Sequence, residues 1–202
     1  AFARGKLFMA SYNGAYLDRL DPGKPIRKSR SRSANPAALG QMKEEGLPLQ
    51  RPRGGVVDKA GMVYFAAMGG YGCEDSGICR IDPDTEEITR WIYPDTTFDA
   101  LVYLPLSHQL LVSEVRKGEK AIRFTFVNSD TGAIVADTPT IEDGGSVASW
   151  VTDGGDLVYG MHPYRATLFA YSLAERRIVK RLHEMGLGDN CNQCLVFGPD
   201  GR

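Results

Sequence analysis

Residues 146–179 read SVASWVTDGGDLVYGMHPYRATLFAYSLAERRIV, a regular succession of apolar runs and turns. The apolar runs are residues 147–151, 157–161, 167–173 and 178–182. The third run alternates apolar with polar residues, as a half-buried strand does. Gly154 and Gly155 separate the first two runs and fit a tight turn, because glycine adopts positive φ without steric cost. The stretch predicts four consecutive antiparallel strands, a unit too small to bury both of its faces alone.

The same unit recurs along the chain. The turn between its third and fourth strands reads IDPDTEEI at 81–88, VNSDTGAI at 127–134 and YSLAERRI at 171–178, so the closing isoleucines lie 46 and 44 residues apart. Four strands in roughly 40–50 residues is the repeat of a β-propeller blade. The sequence predicts an all-β fold, a β-propeller built of four-stranded antiparallel blades, with about four blades in this chain. Four-stranded meanders in a sandwich or an open barrel are the alternative.

The repeat predicts a single domain of successive blades with one interruption. The expected segments are a partial blade at 1–26, an insertion at 27–52, blades at about 53–94, 96–140 and 145–183, and a closing or next-blade strand at 192–199. The insertion opens with the basic run RKSRSR, which is typical of a solvated segment and is also compatible with a polyanion contact. Asn35 as N-cap and Pro36 at the first helical position predict a helix that ends at Gly46.

Three runs of sequence carry a resemblance to a known superfamily. RPRGGVVDKAGMVYFAAMGGYG at 51–72, ICRIDPDTEEITRW at 78–91 and LVFGPDGR at 195–202 resemble blades of bacterial β-propellers of the quinoprotein, YVTN, NHL and SMP-30-like types. The resemblance covers most of the chain except residues 27–50. It implies the architecture and leaves the chemistry open, because that superfamily contains lyases, lactonases, dehydrogenases and pure scaffolds.

The way in which the ring of blades closes has three interpretations. The chain is part of a six- to eight-bladed propeller, or residues 194–197 pair beside residues 6–10 to close a four-bladed ring, or two half-propellers dimerise. An open stack of blades leaves sheet faces and edges unprotected. We therefore expect the remaining blades, or a second copy of the chain, as a partner.

Composition and charge exclude two classes of partner. The 202 residues are 43% hydrophobic and 24% charged, with a formal net charge of −1. Nucleic-acid binding requires a basic face, which this balance does not favour. A membrane span requires about 18 consecutive apolar residues, and the sequence has no such run. We expect neither nucleic acid nor membrane as a partner.

Candidate site residues collect on one predicted face of the blades. Loops after the second and fourth strands of a blade open on the same face, and here they are rich in Tyr, His and Arg, whereas the opposite face carries ordinary turn residues. The candidates are His162, Tyr164, Arg165, Arg53 and Tyr71 for catalysis, and Tyr12, Glu114, Arg116 and Asn192 for ligand binding. Arginine pairs with carboxylates and sulfates as a planar fork. This face therefore predicts an anionic saccharide or small molecule as ligand.

Some polysaccharide lyases have the propeller fold, so the resemblance allows a β-elimination on a uronic acid. Arg53 or Arg165 would neutralise the carboxylate, while His162 and Tyr164 would transfer protons. Alternatively, residues 162–165 form a structured loop that packs on its neighbour. At the level of the whole protein, the competing interpretation is a non-catalytic scaffold whose rim binds another protein. A cofactor-dependent quinoprotein is a third, although no complete cofactor site is recognisable.

Four cysteines fall into two pairs. Cys73 and Cys79 have a spacing suited to a disulfide, and Cys191 and Cys194 form a C-x-x-C motif preceded by His183. Disulfides, buried thiols and a zinc site all remain open. Calcium is a further alternative, with oxygen ligands from residues 74–75 or 189–190. The cysteines favour an exported, periplasmic or extracellular compartment, and no cofactor is firmly implied.

Overall fold

A computed structural model of the chain describes residues 1–12, 14–27, 31–43, 49–70, 72–116, 122–138, 147, 149–162 and 167–184. For residues 115, 116, 149, 162, 167 and 182–184 it describes the backbone but not the side chain. Sixteen strands are found in these ranges, and they contain no helix.

The strands form four sheets, each from four consecutive strands that pair antiparallel with their sequence neighbours. Sheet 1 contains β1 (Phe2–Ala3), β2 (Lys6–Ser11), β3 (Tyr16–Leu20) and β4 (Ala37–Gln41). Sheet 2 contains β5 (Leu49–Val57), β6 (Val63–Gly69), β7 (Ser76–Ile81) and β8 (Ile88–Tyr93). Sheet 3 contains β9 (Thr96–Leu104), β10 (Gln109–Arg116), β11 (Arg123–Asn128) and β12 (Ile134–Asp137). Sheet 4 contains β13 (Ser149–Thr152), β14 (Leu157–His162), β15 (Thr167–Ser172) and β16 (Arg177–Glu184). The predicted all-β, four-stranded antiparallel repeat is confirmed.

The prediction of a helix after Asn35 is wrong. Residues 37–41 are strand β4, which pairs with β3 and completes sheet 1 inside the segment expected to be an insertion. The Asn35 side chain is no N-cap: its amide donates to the Asp21 and Lys24 carbonyl oxygens at 2.9 and 2.8 Å, and its Oδ1 accepts from the Asp21 N–H at 2.8 Å. Asn35 therefore holds the turn that follows β3, and the strand after it continues the sheet.

The predicted third-to-fourth turns share one hydrogen-bonding pattern. In sheet 2 the Asp82 Oδ1 accepts from the N–H groups of Asp84 and Thr85 at 2.8 and 3.2 Å. In sheet 3 the Asn128 Oδ1 accepts from the N–H groups at positions 130 and 131, at 2.9 and 3.0 Å. Asp and Asn favour this local bond to the backbone two residues on, and it fixes the turn that joins the two strands.

The chain divides into two compact units, residues 1–98 and 99–202. Sheets 1 and 2 share one apolar core, in which Phe8, Leu17 and Ile81 are at most 1% exposed. Sheets 3 and 4 share another, centred on Phe124, whose ring meets Trp150 at 4.6 Å and Tyr171 at 4.8 Å, both edge-to-face. A four-stranded sheet can bury an apolar face only by packing it against another element. In each unit that element is a second sheet.

Two arginines link sheet 1 to sheet 2. The Arg90 guanidinium on β8 donates from Nε and Nη2 to the Gln41 carbonyl oxygen on β4, at 3.0 and 2.8 Å. Arg19 on β3 forms an ion pair with Glu86 in the β7–β8 turn. These polar contacts between sheets 1 and 2 supplement the apolar core that the two sheets share.

Candidate functional site

The structure describes three of the candidate side chains. Arg53 lies on β5, Tyr12 follows β2, and Glu114 lies on β10. His162 and Arg116 end β14 and β10, and only their backbone is described. Four candidates lie outside the described residues: Tyr71, Tyr164, Arg165 and Asn192. The roles proposed for all nine residues stay predictions.

Arg51 and Arg53 lie close together near the start of β5. Both side chains are half-buried, and Arg51 stands opposite Met68, near the end of β6, in the sheet register. The Arg53 Nε–H points at the Met68 sulfur, 3.0 Å away. This pair, called the arginine pair below, therefore lies at the end of sheet 2 that carries the β6–β7 loop, as the loop rule predicts.

The β6–β7 loop, at the same end of sheet 2 as the arginine pair, is fixed by hydrogen bonds of Asp75. The Gly69 N–H donates to the Asp75 carbonyl oxygen at 2.8 Å, and the Asp75 carboxylate accepts from the Asp95 N–H at 3.0 Å. Asp75 therefore ties the β6–β7 loop to the β8–β9 turn. Both of these connections open at the same end of sheet 2, so the backbone around the pair is fixed by local bonds.

The other two described candidates occupy different environments. Tyr12 is 59% exposed, in the β2–β3 connection of sheet 1. Glu114 is 1% exposed and stands opposite Arg123 in the register of β10 and β11. The Arg123 guanidinium in turn lies 3.5 Å from the Asp137 carboxylate. The structure thus gives Tyr12 a surface position and Glu114 a buried position within a charged row across sheet 3.

Three buried tyrosines are unsuited to act as bases. Burial raises the pKa of Tyr64, Tyr93 and Tyr171, that of Tyr171 to about 12. The Tyr64 hydroxyl donates to the Asp58 carboxylate at 2.8 Å, at the end of sheet 2 that is remote from the arginine pair. These phenols stay protonated at neutral pH and act as packing and turn-fixing groups.

Cys73 and Cys79 are not joined by a disulfide. Cys79 lies in β7 with its side chain in the core of the first unit, whereas Cys73 lies in the loop before that strand, next to Gly69. A disulfide requires two β-carbons that face each other at close range, so the expected disulfide between Cys73 and Cys79 is wrong. Cys191 and Cys194 lie outside the described residues.

The described residues contain neither a metal-binding cluster nor a membrane-spanning helix. They include no group of three or more His, Cys, Asp or Glu side chains arranged to hold a metal ion. In the same ranges no helix has the length and apolarity that crossing a membrane requires.

The sequence interpretation missed a groove at the opposite end of sheets 3 and 4, among turns that it set aside as ordinary. Its walls include Leu106 and Val135, which are 74% and 54% exposed. The sequence signal that could have indicated the groove is the presence of apolar side chains in a turn, as in LPLSHQ at 104–109. The groove could not be foreseen because residues from both sheets form it.

Comparison with solved structures places this arrangement among known folds. A protein assigned as a gluconolactonase matches with a TM-score of 0.68 and 19% identity, over 100% of this chain and 67% of its own. Regucalcin from Agrobacterium tumefaciens, described as a calcium-binding protein, matches with a TM-score of 0.67 and 12% identity, over 99% of this chain and 63% of its own. Hydrazine synthase from Kuenenia stuttgartiensis matches with a TM-score of 0.68 and 14% identity, over 98% of this chain and 63% of its own.

The fold is that of a β-propeller. The four sheets are its blades, and the sequence resemblance to SMP-30-like propellers is confirmed at the level of the fold. The chain spans about two thirds of the length of these structures. No protein-family model matches the chain, and no curated protein matches it. At these identities the likeness concerns architecture and assigns no reaction.

Proposed function

We propose that this chain provides a ligand-binding face of a β-propeller, on which the arginine pair holds an anionic saccharide or small molecule. One observation carries the proposal: Arg51 and Arg53 are both half-buried at the loop end of β5. In a propeller the first strand of each blade lies nearest the central axis. The pair would therefore stand at the mouth of the channel, where propeller ligands can enter.

The chemistry of the pair favours a carboxylate or sulfate. A guanidinium binds such groups through two parallel N–H bonds, and partial burial strengthens these bonds because less water competes for them. One of the similar structures is assigned as a gluconolactonase, an enzyme named for a sugar lactone, which favours a saccharide as the ligand. The remaining blades or a second copy of the chain would complete such a site.

A lyase is the catalytic form of the same proposal. Neutralising a uronate carboxylate with Arg53 would acidify the proton on the neighbouring carbon, and His162 or Tyr164 would take that proton. The proton would go to the base, and the electron pair of the C–H bond would become the new C=C bond. The C–O bond would break with its electron pair on the departing oxygen, and the other of the two side chains, His162 or Tyr164, would protonate that oxygen. Binding can occur without this step, so the two are tested separately.

The binding test uses trigalacturonate as the anionic probe and maltotriose as its neutral counterpart, both by isothermal titration calorimetry on the 202-residue chain. We expect trigalacturonate to bind and Arg51→Gln or Arg53→Gln to weaken it roughly tenfold or more, since a hydrogen bond to a charged group contributes about 1.5–3 kcal/mol. Arg53→Lys should give an intermediate loss because it keeps the charge and loses the fork. Lys59→Gln is the matched control, an exposed cation in the β5–β6 turn at the opposite end of sheet 2.

Equal binding of both sugars, or equal losses in Lys59→Gln and Arg53→Gln, would refute the arginine pair as the anion site. The lyase form is judged by the ultraviolet absorbance of unsaturated uronate. If trigalacturonate binds but produces no such absorbance, the chain is a binding protein without lyase activity toward this sugar.

A further inference from the structure

The groove between sheets 3 and 4 is built from turns of both sheets and from strand residues of sheet 3. It encloses about 420 Å³ and lies at the end that carries the β9–β10, β13–β14 and β15–β16 turns. Its apolar lining includes Leu104, Leu106, Phe126, Val135 and Leu173. All of these residues belong to the second compact unit. The groove is therefore formed by that unit alone and is separate from the arginine pair in sheet 2.

The apolar walls of the groove are open to solvent. Leu106 and Val135 are 74% and 54% exposed, and Ile134, beside Val135 on β12, is 47% exposed. Isolated apolar residues on a surface are ordinary, but a cluster that lines a concavity marks a place where another molecule binds. Phe126, at 7% exposure, lies among the lining residues as a rigid aromatic surface.

Two charged side chains of opposite sign line the groove, and they differ in what they bind. The two Asp156 carboxylate oxygens accept from the Ser172 hydroxyl and the Ala174 N–H, both at 2.7 Å. The Arg176 guanidinium lies over the Phe126 ring, 5.9 Å from its centroid. In the part of the chain that the structure describes, Arg176 has no ion-pair partner. The groove thus combines apolar walls with a carboxylate whose oxygens are bonded within its own turn region and a guanidinium that has no ion-pair partner among the described residues.

The strand beside the groove favours an extended occupant. β12, which supplies Val135 and Ala136 to the lining, is the end strand of sheet 3, so one edge of its backbone faces away from the sheet. An extended chain can add to such an edge while its side chains enter neighbouring pockets. A groove with exposed rims suits such a segment better than an enclosed small molecule.

We propose that this groove binds an extended peptide segment of a partner protein in which an aliphatic residue neighbours an acidic one. The aliphatic side chain packs against Leu106 and Val135, and the acidic side chain pairs with Arg176. Stacking on Phe126 holds the guanidinium in place for that pair. The proposal is independent of the arginine pair, which lies in the other compact unit.

The test measures fluorescence anisotropy of the labelled octapeptide GELELELG and of its counterpart GKLKLKLG, with the 202-residue chain. We expect the acidic peptide to bind at least tenfold more tightly than the basic one, and Arg176→Glu to reverse that preference. Lys180→Glu is the matched control, because it makes the same charge change at an exposed position on β16 outside the groove.

A second pair of variants tests the apolar wall without changing charge. Leu106→Ser should weaken the acidic peptide severalfold, whereas Val179→Ser, at a 36% exposed position outside the groove, should not. Circular dichroism melting of each variant separates loss of binding from loss of folding, and this pair decides the question if Arg176→Glu does not fold.

Three outcomes would overturn the proposal. The first is that neither peptide binds up to millimolar concentration. The second is that Lys180→Glu changes binding as much as Arg176→Glu, which indicates unspecific attraction. The third is that octanoate binds with the same dependence on Arg176 and Leu106 while no peptide does, which makes the groove a small-molecule site.

Discussion

Position 82 shows how a single side chain fixes a turn in this repeat. The Asp82 carboxylate accepts two backbone N–H groups, from Asp84 and Thr85, and these bonds lower its pKa from the ordinary value. Asn128 makes the equivalent bonds in sheet 3 with a neutral amide oxygen. The turn therefore requires a side-chain oxygen that accepts hydrogen bonds at this position. The negative charge of Asp82 is an additional feature of the turn in sheet 2.

Asp82→Asn should keep the turn and remove the pH dependence that the Asp82 carboxylate gives to the stability of the fold. A carboxyl whose folded pKa is lowered stabilises the fold above its unfolded pKa, near 4, and loses that stabilisation as the pH falls through the folded value. We expect wild type to lose its advantage over the variant as the pH falls from about 5 through the lowered pKa of Asp82, as measured by urea midpoints. Glu87→Gln, an exposed neighbour, is the control. A difference between wild type and Asp82→Asn that stays constant over this range would contradict the mechanism.

Strand β4 shows where local sequence signals mislead. Asn35 and Pro36 followed by AALGQMKEE have the composition of a helix start, yet the alternation of buried Ala37 and Leu39 fits a strand. Pairing with β3 and burial in the core of the first unit override a helix propensity that amounts to tenths of a kcal/mol per residue. The regular turns at 81–88 and 127–134 were predictable because their signals are local, whereas the partner of β4 is distant in sequence.

Arg90 should contribute measurably to the contact between sheets 1 and 2. Its guanidinium donates twice to the Gln41 carbonyl oxygen and is half-buried. We expect Arg90→Ala to lower the free energy of unfolding by about 1.5–3 kcal/mol, the range for hydrogen bonds to charged groups. Hydrogen exchange should show the first loss of protection in β4.

The matched control is Arg177→Ala. Arg177 is the first residue of β16, and the substitution removes its exposed ion pair with Glu175. Exposed pairs contribute about 0–1 kcal/mol, so the cost should be smaller. Equal costs for the two arginines would mean that the bond to Gln41 adds nothing beyond surface electrostatics.

The sequence could predict those features of the candidate site that lie within a single sheet, but not those that two sheets form together. The position of Arg53 at the loop end of β5 followed from strand order, because successive connections of a blade alternate between its two ends. The contact of Arg53 with the Met68 sulfur depends on bulges in the β5–β6 register, for which the sequence gives no signal. The groove combines Leu106 from one sheet with Arg176 from the next, so it became visible only with the packed structure.

The two apolar cores predict that the molecule unfolds in parts. Phe124 is fully buried at the centre of the second core, so Phe124→Ala should lower the free energy of unfolding by about 3–5 kcal/mol. We expect hydrogen exchange measured by mass spectrometry to lose protection in strands β10–β16 first, while strands β1–β8 keep their protection. Phe8→Ala, in the first core, should give the converse pattern. Uniform loss along the whole chain in both variants would show that the units unfold as one.

Each sheet uses four consecutive strands, and each compact unit is one uninterrupted stretch of chain. During translation the first unit has all of its strands once residue 98 has left the ribosome, before most of the second unit has been synthesised. At typical elongation rates the remaining residues take roughly 5–20 s, far longer than a small domain needs to fold. The sheets of the first unit can therefore bury their apolar faces against each other within the nascent chain while synthesis continues.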